Sequence, residues 1–171
     1  LDLRGLGGSR TLTLLNGKDR NCIYDVVSCQ FSFHYFVKDI DVVLNMISKK
    51  LKSKGVFIGT ATDGDLIKEN LKESDVIDKN AIKINRIDDK MYEFFLISEK
   101  TSRETYFEYK GTSKEYFLTK DFLIEKCKQY NMYPLRVIGF HEWNFNYTGI
   151  EMSINEMACS FLNFSFIFQK Y

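Results

Sequence analysis

Two apolar runs on either side of an amphipathic segment restrict the fold of residues 25–60 more than any other feature. Residues 25–31, DVVSCQF, contain β-branched and aromatic side chains, which predict a buried strand. Residues 56–60, VFIGT, have the same character. Because a helical pattern lies between them, the order strand, helix, strand predicts one βαβ unit with parallel strands.

The helix between these strands is expected to end at Gly55. Its apolar residues recur at helical spacing: Ile40, Val43, Leu44, Ile47 and Leu51. Lysines crowd residues 49–54, and cations together with a following glycine are typical of a helix C-terminus. We interpret the lysines as a solvated helix end, in preference to an RNA phosphate contact.

The segments that follow predict more strands. AIKINRI and MYEFFLI flank Asp88-Asp89-Lys90, a pattern that predicts a hairpin. TYFEY, residues 105–109, predicts a further strand.

The C-terminal third predicts a helix and two strands. LTKDFLIEKCKQY predicts a helix with Phe122, Leu123 and Cys127 facing inward, and MYPLRVIGF predicts the strand after it. In SFLNFSFIFQKY, phenylalanines alternate at 164, 166 and 168, which predicts a strand. We expect this last strand to be antiparallel and to lie at or near a sheet edge.

Length and composition fit a single compact domain over residues 1–171. The chain is 44% hydrophobic and 15% aromatic, which excludes a disordered or fibrous class. With 24 basic and 23 acidic residues, the net charge of +1 gives no global attraction to long nucleic acid. No apolar run reaches the length of a membrane span, and LDLRGLGGSR has no signal-peptide core, so we expect no membrane partner.

The four cysteines predict reduced, mostly buried thiols in an intracellular protein. Cys22, Cys29, Cys127 and Cys159 form no CxxC pair and have no histidine at metal-ligand spacing, so no metal is expected. Near the N-terminus, LDLRGLGG runs from an apolar strand into Gly5, Gly7 and Gly8. Such a turn lets backbone N–H groups approach a nucleotide-like ligand, but an ordinary turn has the same composition.

Directly after the first strand stands CQFSFHYF, which combines an amide, an imidazole and several aromatic rings. It resembles the Cys-Gln-Phe-x-x-His-Tyr signature of eukaryotic and viral mRNA cap guanine-N7 methyltransferases. The segments KSKGVFIGT, KEYFLTKDFL and CKQYNMYPLRVIGFHEW continue the resemblance. ATDGDLI looks closest to the branch of large DNA viruses, as in capping enzymes like those of poxviruses and African swine fever virus.

This resemblance implies a class I S-adenosylmethionine-dependent methyltransferase, α/β and Rossmann-like, with a mostly parallel sheet and an antiparallel C-terminal strand. The reaction would move a methyl group from S-adenosylmethionine to N7 of the 5′ cap guanine and leave S-adenosylhomocysteine. Because N7 already presents a lone pair, no general base is needed. Catalysis would depend on orientation, and we expect no catalytic acid or base.

The resemblance also assigns roles to single residues. Those expected beside the cofactor are Gly5, Gly7, Gly8, Ser28, Gln30 and Phe31. His34 and Tyr35 would contact the cap guanine, and together with Phe31 would orient it. Glu115 would accept hydrogen bonds from guanine N1–H and the exocyclic amine. The alternatives are a satisfied core histidine for His34 and a solvated charge beside Lys114 for Glu115.

Three departures from the family pattern affect these expectations. Arg4 and Leu6 interrupt the Gly-rich motif, and Asn163 stands where the family has an aromatic residue near the cap. The 16 residues between Gly8 and Asp25 are also too few, since one βαβ unit needs about 30. We therefore expect the domain to lack segments between about 5–24 and 144–158.

Two other functions stay open at this point. A catalytically inactive methyltransferase-like subunit that stimulates or scaffolds a partner would tolerate the interrupted Gly-rich motif. A methyltransferase for another small substrate would share the cofactor site. For the capping enzyme, the expected partners are 5′-capped RNA and guanylyltransferase and triphosphatase domains in the same polypeptide. Its expected location is the cytoplasm, meaning the host cytoplasm or the virion for a viral protein.

Overall fold

The computed structural model describes residues 22–79, 82–96, 112–143 and 152–171. The chain divides into two compact units. The first comprises the described residues up to Ala61, together with Lys120–Val137 and Ser165–Tyr171. The second comprises the described residues of Thr62–Thr119 and Ile138–Phe164. The strand expected at 105–109 lies outside the described residues, as does most of the two regions, 5–24 and 144–158, in which segments are expected to be missing.

The described residues form strands, α-helices and two short 3₁₀ helices. The strands are β1 (Tyr24–Cys29), β2 (Leu51–Thr62), β3 (Val76–Lys79), β4 (Ile82–Arg86), β5 (Met91–Leu96), β6 (Thr112–Tyr116), β7 (Met132–Gly139) and β8 (Asn163–Lys170). The α-helices are α1 (Ile40–Lys50), α2 (Gly64–Asn70), α3 (Lys120–Lys128) and α4 (Ile154–Ser160). The 3₁₀ helices are Phe33–Asp39 and Phe140–Glu142. None of the described helices has the length and apolar character needed to cross a bilayer.

A four-stranded sheet with the order β1-β2-β8-β7 forms the first unit. β1 and β2 are parallel, with Val26 opposite Val56 and Cys29 opposite Gly59. The first 3₁₀ helix and α1 connect them. This confirms the predicted βαβ unit, because a parallel pair needs a crossover connection of this kind.

The predicted helix stop at Gly55 is wrong. α1 ends at Lys50 and β2 begins at Leu51. The residue with a left-handed backbone is Lys54, with φ of 64°, and it lies where the β1–β2 register shifts. The ammonium group of Lys170 donates hydrogen bonds to the carbonyls of Ser48 and Leu51, which satisfies acceptors at the helix end.

The lysine-rich segment is also less solvated than predicted. Lys50 is 8% exposed, and Lys52 pairs with Asp25 at 2.8 Å. The segment therefore includes a buried lysine and a paired one, and is not a uniformly solvated helix end.

The core of the first unit is aromatic. The ring centroids of Phe33 and Phe57 are 5.3 Å apart, and that of Phe166 is 5.8 Å from Phe33 and 4.9 Å from Phe57. Each of these three residues is at most 1% exposed. Burying an aromatic ring contributes roughly 1.5–3 kcal/mol, so this trio holds the 3₁₀ helix after β1 against the sheet.

Helix α3 has one apolar face, which includes two of the three residues that were predicted to face inward. Leu123 and Cys127 are buried, as predicted. Phe122 is 37% exposed, so its predicted inward orientation is wrong. Successive helical residues point about 100° apart, which turns Phe122 away from the face of Leu123. The ammonium group of Lys126 lies 6.0 Å from the centroid of the Phe122 ring.

Strand β8 is antiparallel to both neighbours, as predicted. Its end meets the start of β7, because Tyr171 N–H donates to the Asn131 carbonyl. Its end also meets the start of β2, because the Gln169 amide donates to the Lys54 carbonyl. β8 lies between β2 and β7, next to the edge strand β7 of the described sheet.

An antiparallel sheet with the order β3-β4-β5-β6 forms the second unit. The predicted hairpin between β4 and β5 is confirmed. Its turn is closed by Asp88, whose carboxylate accepts the N–H groups of Lys90 and Met91 at 2.7 and 2.8 Å. The buried core of this unit consists of Ile67, Leu71, Ile77, Ile82, Ile84, Tyr92, Phe117 and Leu162.

Candidate active site

The residues that follow β1 lie at the carboxyl end of that strand, beside the carboxyl end of β2. Ser28 is within β1, and Gln30 and Phe31 come directly after it. Because Cys29 is opposite Gly59, Thr60 of β2 lies beside Gln30. The carboxyl ends of parallel strands are where α/β sheets bind ligands, so this edge is the candidate site.

The Gln30 side chain is held by two hydrogen bonds. Its Oε1 accepts a hydrogen bond from the Thr60 hydroxyl at 3.0 Å, and its Nε2 donates to the Ser28 hydroxyl at 2.8 Å. Both Gln30 and Ser28 are exposed. A primary amide carries two N–H groups, so a second Nε2–H and the Ser28 hydroxyl proton remain for solvent or a ligand.

Phe31 has a backbone conformation that is rare for a residue with a side chain. Its φ is 49°, in the left-handed region. Its N–H donates to the Thr60 carbonyl at 3.0 Å and to the Thr60 hydroxyl at 2.9 Å. Phe31 is 53% exposed, so an accessible aromatic residue directly follows Gln30 in the chain.

His34 and Tyr35 lie together in the first 3₁₀ helix. Their ring centroids are 4.2 Å apart, with the ring planes at 50°. His34 is 3% exposed and Tyr35 is 40% exposed. Burial of His34 fits either a ligand-facing or a core histidine, whereas the accessible face of Tyr35 is open to a flat ligand.

Glu115 belongs to β6 in the second unit and is buried, with 3% exposed. It is therefore not the solvated charge of the alternative interpretation. Its Oε2 lies 2.6 Å from the hydroxyl of Tyr92, the residue opposite it on β5. The Thr62 hydroxyl lies 2.8 Å from the same Tyr92 oxygen. Since a tyrosine hydroxyl has one proton, it donates to the carboxylate and accepts from Thr62.

Cys29, beside this motif, is not set up as a nucleophile. Burial raises the pKa of its thiol, and a hydrogen bond with Ser32 at 3.3 Å lowers it by less. A raised pKa favours the thiol over the reactive thiolate. Among the described residues, no three His, Cys, Asp or Glu side chains gather as a metal site would require.

The structure brings Ser28, Gln30, Phe31, His34 and Tyr35 together in the first unit, and places Glu115 in the second. Gly5, Gly7 and Gly8 lie outside the described residues. Two residues that bind these side chains were not singled out from the sequence, Thr60 and Tyr92. For Thr60 the available signal was its position at the end of the parallel strand next to Gln30. For Tyr92, the only signal in the sequence was its place in the apolar run that forms β5.

Asn163 has a structural role in the second unit. Its Nδ2 donates to the carbonyls of Cys159 and Ser160, at 3.1 and 3.0 Å, where α4 ends. This use of the side chain explains how a polar residue is accommodated at the start of β8.

Comparison with known proteins gives a family and a fold. The family model described as the mRNA (guanine-N(7))-methyltransferase domain matches residues 12–158. An S-adenosylmethionine-dependent methyltransferase from Clostridium acetobutylicum has a TM-score of 0.52 at 13% identity. The alignment covers 95% of this chain and 72% of the Clostridium chain. No curated protein sequence matches this chain.

Two further solved structures are similar. One, from Listeria monocytogenes, is described as a S-adenosylmethionine-dependent methyltransferase and has a TM-score of 0.52 at 13% identity. The alignment covers 86% of this chain and 62% of the Listeria chain. The CcbJ methyltransferase from Streptomyces caelestis has a TM-score of 0.50 at 9% identity, with 88% of this chain covering 62% of it. This chain thus spans less than two thirds of these two proteins. At such identities the likeness shows the fold alone.

Proposed function

Because this chain belongs to the mRNA (guanine-N(7))-methyltransferase domain family, we propose that it methylates N7 of the guanine that caps mRNA. Its fold is the Rossmann-like α/β fold of class I S-adenosylmethionine-dependent methyltransferases. The methyl donor is S-adenosylmethionine and the product is S-adenosylhomocysteine. The family match over residues 12–158 is the observation that carries the proposal.

The exposed end of β1 has the groups that a methyl donor of this kind needs. S-adenosylmethionine supplies an electrophilic methyl group when it is bound. Gln30 offers an amide N–H, Ser28 offers a hydroxyl, and Phe31 offers an exposed aromatic face next to them. We assign these three residues to the cofactor, and extend the assignment to Gly5, Gly7 and Gly8 on the family resemblance.

We assign His34, Tyr35 and Glu115 to the cap guanine. The exposed ring of Tyr35, in contact with His34, suits a flat base. The Glu115 carboxylate accepts from guanine N1–H and the exocyclic amine, a donor pair that adenine does not present. This assignment rests on the family resemblance.

In this proposal the residues work by orientation. Guanine N7 carries an in-plane lone pair, so no side chain has to remove a proton before attack. Phe31, His34 and Tyr35 orient the two reactants, which is the main requirement for a direct transfer. As positive charge develops on the guanine, the negative charge of Glu115 favours the transition state.

The proposal extends to the setting of the reaction. The resemblance of ATDGDLI to large DNA virus enzymes supports a viral capping enzyme, acting in the host cytoplasm or the virion. Its RNA substrate would be made by guanylyltransferase and triphosphatase activities, which we place in the same polypeptide.

A methylation assay with this chain tests the proposal. We expect methyl transfer to GpppA-ended RNA and none to ApppA-ended RNA, together with binding of S-adenosylhomocysteine. Methylation of other small acceptors but of neither RNA would contradict the cap assignment. Failure to bind S-adenosylhomocysteine would instead support the inactive stimulatory or scaffold subunit.

A further inference from the structure

We infer that Thr60 is a positioning residue for methyl transfer: its hydroxyl sets the conformation of Gln30 and Phe31. The inference rests on the proposed function, since it takes these two residues as facing the methyl donor. Thr60 lies near the end of β2, and its side chain contacts the residues that follow β1. It contacts both residues through the same oxygen atom.

The Thr60 hydroxyl serves as donor and acceptor at once. Its proton goes to Gln30 Oε1 at 3.0 Å, because a carbonyl oxygen can only accept. A lone pair of the same oxygen accepts the Phe31 N–H at 2.9 Å. Valine has the shape of threonine but could make neither hydrogen bond, whereas serine could make both.

The first hydrogen bond determines which way the Gln30 amide points. With Oε1 bound to Thr60, Nε2 is left to donate to Ser28, at 2.8 Å. Without the hydroxyl, the amide could rotate and exchange its oxygen and nitrogen. The donor that Gln30 offers to a ligand would then be present for only part of the time.

The second hydrogen bond holds a strained backbone. Phe31 has φ of 49°, which is disfavoured for a residue with a Cβ atom. Its N–H is bound by both acceptors of Thr60, the carbonyl and the hydroxyl. Strain of this kind persists only where neighbouring groups enforce it, and two of the groups that do so here belong to Thr60.

The test compares three variants of the whole chain. Thr60→Val and Thr60→Ala remove the hydroxyl, and Thr60→Ser keeps it. We expect Thr60→Val and Thr60→Ala to weaken S-adenosylhomocysteine binding about tenfold or more, because two hydrogen bonds are lost. Their kcat on GpppA-ended RNA should fall as well, since the reactants are less well oriented. Thr60→Ser should stay within about twofold of the wild type, because both hydrogen bonds remain.

A purely structural role predicts a different pattern. In that case binding and kcat would follow the thermal midpoint, and Thr60→Ser would be as impaired as Thr60→Val. Either that result, or wild-type binding and kcat in both hydroxyl-free variants, would overturn the inference. Should Thr60→Val fail to fold, Thr60→Ala decides the comparison with Thr60→Ser.

Failure of the proposed function would look different from failure of this inference. If the wild type binds S-adenosylhomocysteine but does not methylate capped RNA, the cap assignment fails. The binding affinities of the three variants would still decide the role of Thr60, because that measurement uses no RNA.

Discussion

The carboxylate of Glu115, which we assign to the cap guanine, is buried and bound by a hydroxyl group of its own unit. A buried charge is costly unless donors surround it. The Tyr92 hydroxyl, at 2.6 Å, supplies one such donor, and Thr62 fixes the hydroxyl from its other side. Hydrogen bonds to charged groups contribute about 1.5–3 kcal/mol. Tyr92 therefore stabilises the second unit and directs the carboxylate as well.

Replacing Tyr92 by phenylalanine should separate these two contributions. We expect Tyr92→Phe to lower the free energy of unfolding by about 1.5–3 kcal/mol, measured in urea. KM for GpppA-ended RNA should rise, while S-adenosylhomocysteine affinity should stay unchanged. Tyr133→Phe, at an exposed position on β7, is the matched control. Equal behaviour of the two variants would show that the Tyr92–Glu115 hydrogen bond is unimportant.

His34 is the residue whose burial leaves two interpretations open. We expect His34→Ala to lower methylation of capped RNA at least about tenfold, because the guanine is less well oriented, and to change the thermal midpoint little. The other histidine, His141, is exposed, so His141→Ala should change neither quantity. A large fall in the midpoint of His34→Ala, with activity lost in proportion, would favour the core histidine.

At the scale of elements, local patterns predicted the parts of the fold that depend on nearby residues. The apolar runs of β1 and β2 and the helical spacing between them gave the βαβ unit correctly. The end of α1 was predicted wrongly because Lys170, far along the chain, binds the carbonyls of Ser48 and Leu51. A lysine-rich sequence before a glycine does not reveal that contact.

The same limit applied to the candidate site. The resemblance pointed to Gln30, Phe31, His34, Tyr35 and Glu115, but it gave no partners for them. Thr60 was visible only as part of a strand and of the segment KSKGVFIGT, and its hydrogen bonds depend on the register between β1 and β2. Likewise, the burial of Glu115 depends on its pairing with Tyr92 across β5 and β6, which no local pattern contains.

Close packing of β1, β2 and β8 leaves no room for a side chain at Gly59. An added Cβ would collide with the Cys29 carbonyl and the Phe166 ring. We expect Gly59→Ala to lower the free energy of unfolding by about 1–3 kcal/mol, a typical cost of overpacking. At Gly139 the nearest atoms belong to the side chains of His141 and Glu142, which can move aside. Urea unfolding of Gly139→Ala should therefore show a smaller effect, and the opposite ranking would contradict this packing.

At the scale of the whole molecule, the four thiols are free, as the sequence predicted, but they differ in exposure. Cys29 and Cys127 are buried, Cys159 is half-buried and Cys22 is exposed. Burial raises the pKa of the Cys29 and Cys127 thiols, and burial together with Glu156 raises that of Cys159. A raised pKa leaves less thiolate at a given pH, which slows alkylation.

Brief alkylation with iodoacetamide at pH 8, followed by peptide mass mapping, tests this distribution. We expect Cys22 to react first and Cys159 more slowly. Cys29 and Cys127 should react only after unfolding in urea, where all four thiols become equivalent. Early modification of Cys127 in the folded protein would contradict the burial of the inward face of α3.

A ribosome making this chain delivers β8 after every other described strand of its sheet. β1 and β2 can pair once Thr62 has emerged, but β7 cannot join them, because β8 lies between β2 and β7. Until then, both β2 and β7 expose unpaired backbone N–H and C=O groups. In a nascent chain such strand edges can aggregate unless chaperones bind them. Lys170, which binds carbonyls at the end of α1, emerges only with the end of β8. The first unit therefore completes its folding only when synthesis has passed its final strand.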